Sequence, residues 1–175
     1  MAKIKFMGML LIVSDLQKSK ALYQNILGQT EMTMDTPDMV SFGTHEFTPI
    51  SLSPAEWVQS ESDEPWFSAK MRLAPKTNNF QLYFETNDIE TVAEKIQATE
   101  GIEVLYFGEG FINRFPQRAI RFYDYDGHLI EVAESLQVLA RRLLAQGMSM
   151  EEIAESFGVG DTVEMIQELL TLEQQ

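Results

Sequence analysis

Two stretches of this chain run the same programme, and that repetition limits the folds open to it more than any other feature. In the first, Ser14 or Asp15 caps a helix whose Leu16, Leu22, Tyr23, Ile26 and Leu27 share one apolar side, and Gly28 fits its end. In the second, Asn87 or Asp88 caps a helix with Ile89, Val92, Ala93 and Ile96 at helical spacing, closed by Gly101. Asp15 to Gly28 and Asp88 to Gly101 are both thirteen residues, and the two units are offset by 73. A strand-like run precedes each helix, Lys5–Val13 and Asn79–Glu85. Three short runs follow each: Glu31–Asp35, Val40–Gly43 and Phe47–Ser53, then Glu103–Phe107, Gln117–Tyr123 and Leu129–Glu134. The pattern predicts an α+β fold of two βαβββ modules. Neither half buries its sheet alone, so two cupped, barrel-like mixed sheets around a cavity, with helices outside, are expected.

Arg118–Glu134 reads as two strands joined at Asp126-Gly127. Pairing Tyr123 with Leu129 sets Arg121 opposite Glu131 and Ala119 opposite Ala133 on one face. Ile120, Phe122, Ile130 and Val132 then share the other face, which must pack on something. An isolated carboxylate between Leu129 and Ala133 would be costly in its ionised form, and the fork of donors on Arg121 suits it. An ion pair between Arg121 and Glu131 on the cavity wall is therefore expected. A structural pair at the sheet rim is the alternative. His128, in the turn, is expected to face solvent.

The fold expected over residues 1–134 comprises modules at about 1–54 and 79–134 joined by a polar, irregular linker at 55–78. Trp57, Trp66 and Phe67 of the linker either lid the cavity or pack on its outside. Residues 135–175 form a helical extension with helices at about Leu136–Ala145, Met150–Phe157 and Thr162–Leu172. Ser149 with Glu152 and Asp161 with Glu164 match capping boxes. The last helix has Glu164 and Glu168 but no lysine or arginine, which opposes insertion into a nucleic-acid groove. Its Val163, Ile166, Leu169 and Leu170 suit packing or a homodimer contact.

The net charge of −14 argues against nucleic acid and anionic membrane surfaces as partners. The absence of cysteine excludes disulfides and thiolate metal sites. The opening Met1–Val13 has lysines before an apolar run, but that run is about eight residues and lacks a small-residue cleavage site. A buried first strand and a cytoplasmic location are the expectation.

The stretches Leu11–Ser19 with Tyr23–Gly28, then Tyr83–Asp88, then Asp124-Tyr-Asp-Gly-His-Leu-Ile-Glu131 resemble the vicinal oxygen chelate superfamily, which includes glyoxalase I, extradiol dioxygenases and the fosfomycin and bleomycin resistance proteins. Tyr125 stands where that family's turn usually has proline. The resemblance implies a divalent metal, Ni, Zn, Fe or Mn, held by His, Gln or Glu on the first and last strand of each half. Carried over by position, those ligands fall on Gly8, Ser51, Gln81 and Glu131, of which only Gln81 and Glu131 are metal ligands of any strength. His45 lies in a loop of unfixed register. The set is incomplete, so binding without a cofactor is expected.

The resemblance then implies one of two functions. In the first, a small organic ligand is bound without chemistry, with Arg121, Glu131 and Gln81 orienting it and Ser51, Tyr83, Tyr123, Phe111 and Phe115 lining its site. In the second, the protein is a metal-dependent lyase, isomerase or dioxygenase of the glyoxalase I type, in which Glu131 is ligand or general base, Gln81 with a third group completes the site, and Arg121 is the other catalytic candidate. An oligomerisation role for the C-terminal helices is a third reading.

Overall fold

The alternation and capping signals resolve into eight strands and six helices in a computed structural model that describes residues 6, 8–44, 49–60, 73, 75–109, 116–157 and 162–171. The chain divides into two compact units, Met1–Phe80 with Tyr123–His128, and Gln81–Phe122 with Leu129–Gln175.

The first unit carries β1 (Met9–Val13), α1 (Leu16–Asn25), β2 (Met32–Asp35), β3 (Val40–Phe42), β4 (Ile50–Pro54) and α2 (Ala55–Ser60). Its sheet has the order β1-β4-β3-β2. β1 runs parallel to β4 with Leu11 opposite Leu52, and the other pairs are antiparallel. Asp15 is the cap of α1, its carboxylate accepting from Lys18 N at 3.0 Å. Leu22 and Tyr23 on the inner side of α1 are buried with Val40, Phe42 and Leu52. The Tyr23 and Phe42 rings stack at 6.0 Å.

The linker is less irregular than the sequence suggests. Its first residues form α2, with Glu56 in the first turn where the helix dipole favours an acid. At six residues this helix is too short to show a periodic apolar face. Trp57 is half-buried, and Trp66 and Phe67 lie outside the described residues.

β5 (Thr77–Thr86) starts two residues earlier than its alternation indicates. With α3 (Ile89–Ala98), β6 (Glu103–Glu109), β7 (Arg118–Tyr123) and β8 (His128–Glu134) it completes the second βαβββ set, in the order β5-β8-β7-β6. Thr77 N donates to Gly127 O and Ser135 N to Thr86 O, so β5 and β8 run in the same direction. Both sheets are mixed and open. The hairpin has the expected register: Ile120, Phe122, Ile130 and Val132 are all buried, as are Ile89, Ala93 and Ile96 of α3.

The C-terminal helices α4 (Leu136–Ala145), α5 (Met150–Phe157) and α6 (Val163–Thr171) belong to the second unit. They enclose their own core of Leu139, Ala140, Leu143, Ile153, Ala154 and Ile166. Ser149 and Glu152 form the reciprocal capping box, at 3.2 and 2.8 Å. At α6 the cap is Thr162, whose hydroxyl accepts from Met165 N at 3.3 Å; Asp161 lies outside the described residues. Gln137 Nε2 donates to Leu169 O at 3.0 Å and so satisfies a carbonyl at the end of α6.

A buried carboxylate ties α4 to the sheet. Glu134 is 1% exposed and accepts from Arg118 N at 2.9 Å and from Arg142 Nη2 at 2.5 Å. The same Nη2 donates to Pro116 O at 2.6 Å. No helix among the described residues is long and apolar enough to cross a membrane.

Candidate functional site

The polar face of the second unit's hairpin begins from strand alternation. Arg121 on β7 and Glu131 on β8 project to the same side, and Gln81 on the neighbouring β5 joins them. Arg121 Nε donates to Glu131 Oε2 at 3.1 Å, and Nη2 stands 2.9 Å from the same oxygen. Nη2 also donates to Gln81 Oε1 at 2.6 Å. The Glu131 side chain is 5% exposed and that of Arg121 23%, so the carboxylate is enclosed while the guanidinium reaches the surface.

Two positions further along β5 lies Tyr83, on the same side as Gln81 and half exposed. Its hydroxyl donates to Glu85 Oε1 at 3.0 Å and accepts from Gln117 Nε2 at 3.2 Å. Burial of the ring pushes the phenol up to about 12, with the charges of Glu85 and Glu131 acting in the same sense and the Gln117 contact opposing them. Tyr83 is therefore a neutral hydroxyl at ordinary pH. Gln117, whose Nε2 also reaches Glu134 O at 2.7 Å, is a member of this cluster that parity alone did not single out.

The remaining sequence candidates have other neighbours. Ser51 and Tyr123 belong to the first unit. Ser51 Oγ is 2.9 Å from Ser41 Oγ across β3 and β4. Tyr123 is buried, its hydroxyl donates to Asn78 Oδ1, and Lys76 Nζ lies 4.7 Å from its ring centre. Phe111 and Phe115 lie outside the described residues, as does His45.

His128 corrects its expected place in solvent, since it is buried at 7% exposure. Asp124 holds it: the Asp124 carboxylate lies 2.9 Å from Nδ1, and its Oδ1 accepts from the backbone N of His128 at 2.9 Å and of Asp126 at 3.0 Å. A signal for this was present. Alternation extended back from Ile130 puts His128 on the buried face, and Asp124 has the side chain for a local turn.

The residues at the family's ligand positions do not fit a divalent metal. Gly8 has no side chain, and Ser51 offers a hydroxyl already paired with another. The oxygens of Gln81 and Glu131 face a permanent cation at hydrogen-bond distance, which would repel an incoming metal ion. Among the described residues, no group of three or more His, Cys, Asp or Glu side chains is placed to hold an ion.

Known proteins share the architecture. A protein of unknown function from Agrobacterium tumefaciens is 27% identical with a TM-score of 0.59, covering 77% of this chain and 97% of its own. A lactoylglutathione lyase from Agrobacterium tumefaciens is 20% identical with a TM-score of 0.51, over 77% and 96%. A fosfomycin resistance protein from Listeria monocytogenes is 22% identical with a TM-score of 0.53, over 77% and 95%. At these identities the last two show a common fold. No curated protein matches the chain significantly. The family model for the glyoxalase-like domain matches residues 6–137, leaving most of α4 and all of α5 and α6 beyond it. With its duplicated βαβββ sheets and that match over most of its length, this chain belongs to the glyoxalase-like family of the vicinal oxygen chelate superfamily.

Proposed function

We propose that the protein binds a small organic ligand without metal chemistry, on the face formed by Gln81, Tyr83, Arg121 and Glu131. The observation that supports this reading is the guanidinium of Arg121 between Gln81 and Glu131, supplying the positive charge that a metal ion supplies in the family's enzymes. A guanidinium orients polar oxygens through fixed donor directions, but it gives no open coordination position. Tyr83 adds a neutral hydroxyl and a half-exposed ring. Such a face suits a ligand with an apolar body and oxygen functions, held by hydrogen bonds rather than turned over.

The test is a ligand screen of oxygenated small molecules by thermal shift, on protein treated exhaustively with chelator. Binding that survives chelation and weakens in Arg121→Lys, which keeps the charge but loses the fork, supports the reading. Stoichiometric Ni, Zn, Fe or Mn in purified protein, lost together with a lyase or dioxygenase activity on chelation, would overturn it.

A further inference from the structure

Behind the turn of the long hairpin lies a small pocket made wholly of first-unit residues. Its volume is about 130 Å³, and its walls include Leu11, Ile12, Leu73 and Phe80, with Thr77, Asp126 and His128 as polar members. It shares no residue with the Arg121 cluster. Phe80 and Gln81 are neighbours on β5 and project to opposite faces of that strand.

His128 is set in this pocket with one nitrogen committed and the other not. A carboxylate only accepts, so the contact with Asp124 places a hydrogen on Nδ1 and leaves Nε2 of the neutral ring as an acceptor. Asp124 is itself secured by two backbone N–H groups and by the hydroxyl of Tyr23 at 3.4 Å. Nε2 makes no hydrogen bond among the described residues. No buried side-chain nitrogen or oxygen among them lacks a partner, so Nε2 is at the open side of an otherwise buried ring. The other polar walls are already engaged: Asp126 Oδ1 accepts from Ser14 N at 2.9 Å and Oδ2 from Ser19 Oγ at 3.4 Å, and Thr77 Oγ1 donates to Gly127 O at 3.1 Å.

We propose that this pocket is a second ligand site, taking a small neutral molecule with an apolar body and a single O–H or N–H donor directed at His128 Nε2. The volume is of the order that holds one six-membered ring. The leucine, isoleucine and phenylalanine walls would cover the ring. The Asp126 carboxylate disfavours an anionic ligand.

Phenol is the probe, with toluene and benzoate as controls, followed by NMR at the His128 ring nitrogens and the Leu11 and Ile12 methyls. Phenol is expected to shift Nε2 and those methyls saturably. Toluene should bind about tenfold more weakly, the loss of one hydrogen bond, and benzoate should not compete. Phe80→Ala, at a partly exposed position, should retain the fold and weaken phenol and toluene alike. Asp124→Asn should weaken phenol more than toluene, because an amide donor at Nδ1 turns Nε2 into a donor. Arg121→Lys should leave phenol binding unchanged, which separates this site from the face described above. Equal binding of phenol and toluene, no shift at Nε2, or indifference to Phe80→Ala would overturn the proposal.

Discussion

Arg121 and Glu131 face each other across the hairpin, with Nε and Nη2 at 3.1 and 2.9 Å from a single carboxylate oxygen that is almost wholly enclosed. Removing the arginine strands a buried carboxylate. Arg121→Ala is therefore expected to lower stability by about 3 kcal/mol, near the low end for a broken buried pair because the guanidinium is partly exposed. Denaturant unfolding measures it. The double change Arg121→Met with Glu131→Leu should cost less than Arg121→Ala, since no charge is left uncompensated.

The Glu134–Arg142 pair makes a second, independent prediction. Its carboxylate is more deeply buried than Glu131, and Arg142 also carries the Pro116 carbonyl. Arg142→Ala should destabilise by about 3–5 kcal/mol. Because α4 is joined to the sheet through this pair, amide exchange should accelerate first in α4 to α6.

Tyr83 should titrate near 12 instead of near 10. The folded value lies above the unfolded one, so the associated stability is fully present below pH 10 and is lost as pH rises through about 12. Difference absorbance at 295 nm between the wild type and Tyr83→Phe checks the value. Glu85→Gln should bring it down, by removing a charge that raises it.

Gly127 and Gly28 both have positive φ, at +81° and +68°, but only one is crowded. A Cβ at Gly127 would stand 2.8 Å from the carbonyl oxygen of Pro75, while at Gly28 nothing lies within 4 Å. Gly28→Ala should cost about 1–2 kcal/mol, the ordinary penalty of a left-handed residue. Gly127→Ala should cost more than that, and thermal unfolding of the two variants side by side shows the difference.

Much of this architecture was legible because it rests on local chemistry. Asp15 and Asp88 cap the helices they precede, Ser149 and Glu152 close their box, and the hairpin pairs as its alternation requires. What escaped was decided by small local margins or by distant partners. α2 is too short for periodicity to reveal. Thr162, which the sequence pattern did not single out, caps α6 by accepting from Met165 N. The turn position of His128 points it to solvent, but the parity of β8 and the Asp124 carboxylate four residues earlier draw it inward.

The duplicated βαβββ pattern and the register that opposes Arg121 to Glu131 follow from the order of residues along the chain. Side-chain alternation and helix capping act within a few residues, so they can be read along the chain. Packing between separate stretches settled that Gln81 completes the hydrogen bonding of Arg121 and that Glu134 anchors the terminal helices through Arg142. Those contacts join residues 40 and 8 positions apart, and in each the polar group takes whichever partner the packed elements bring within reach.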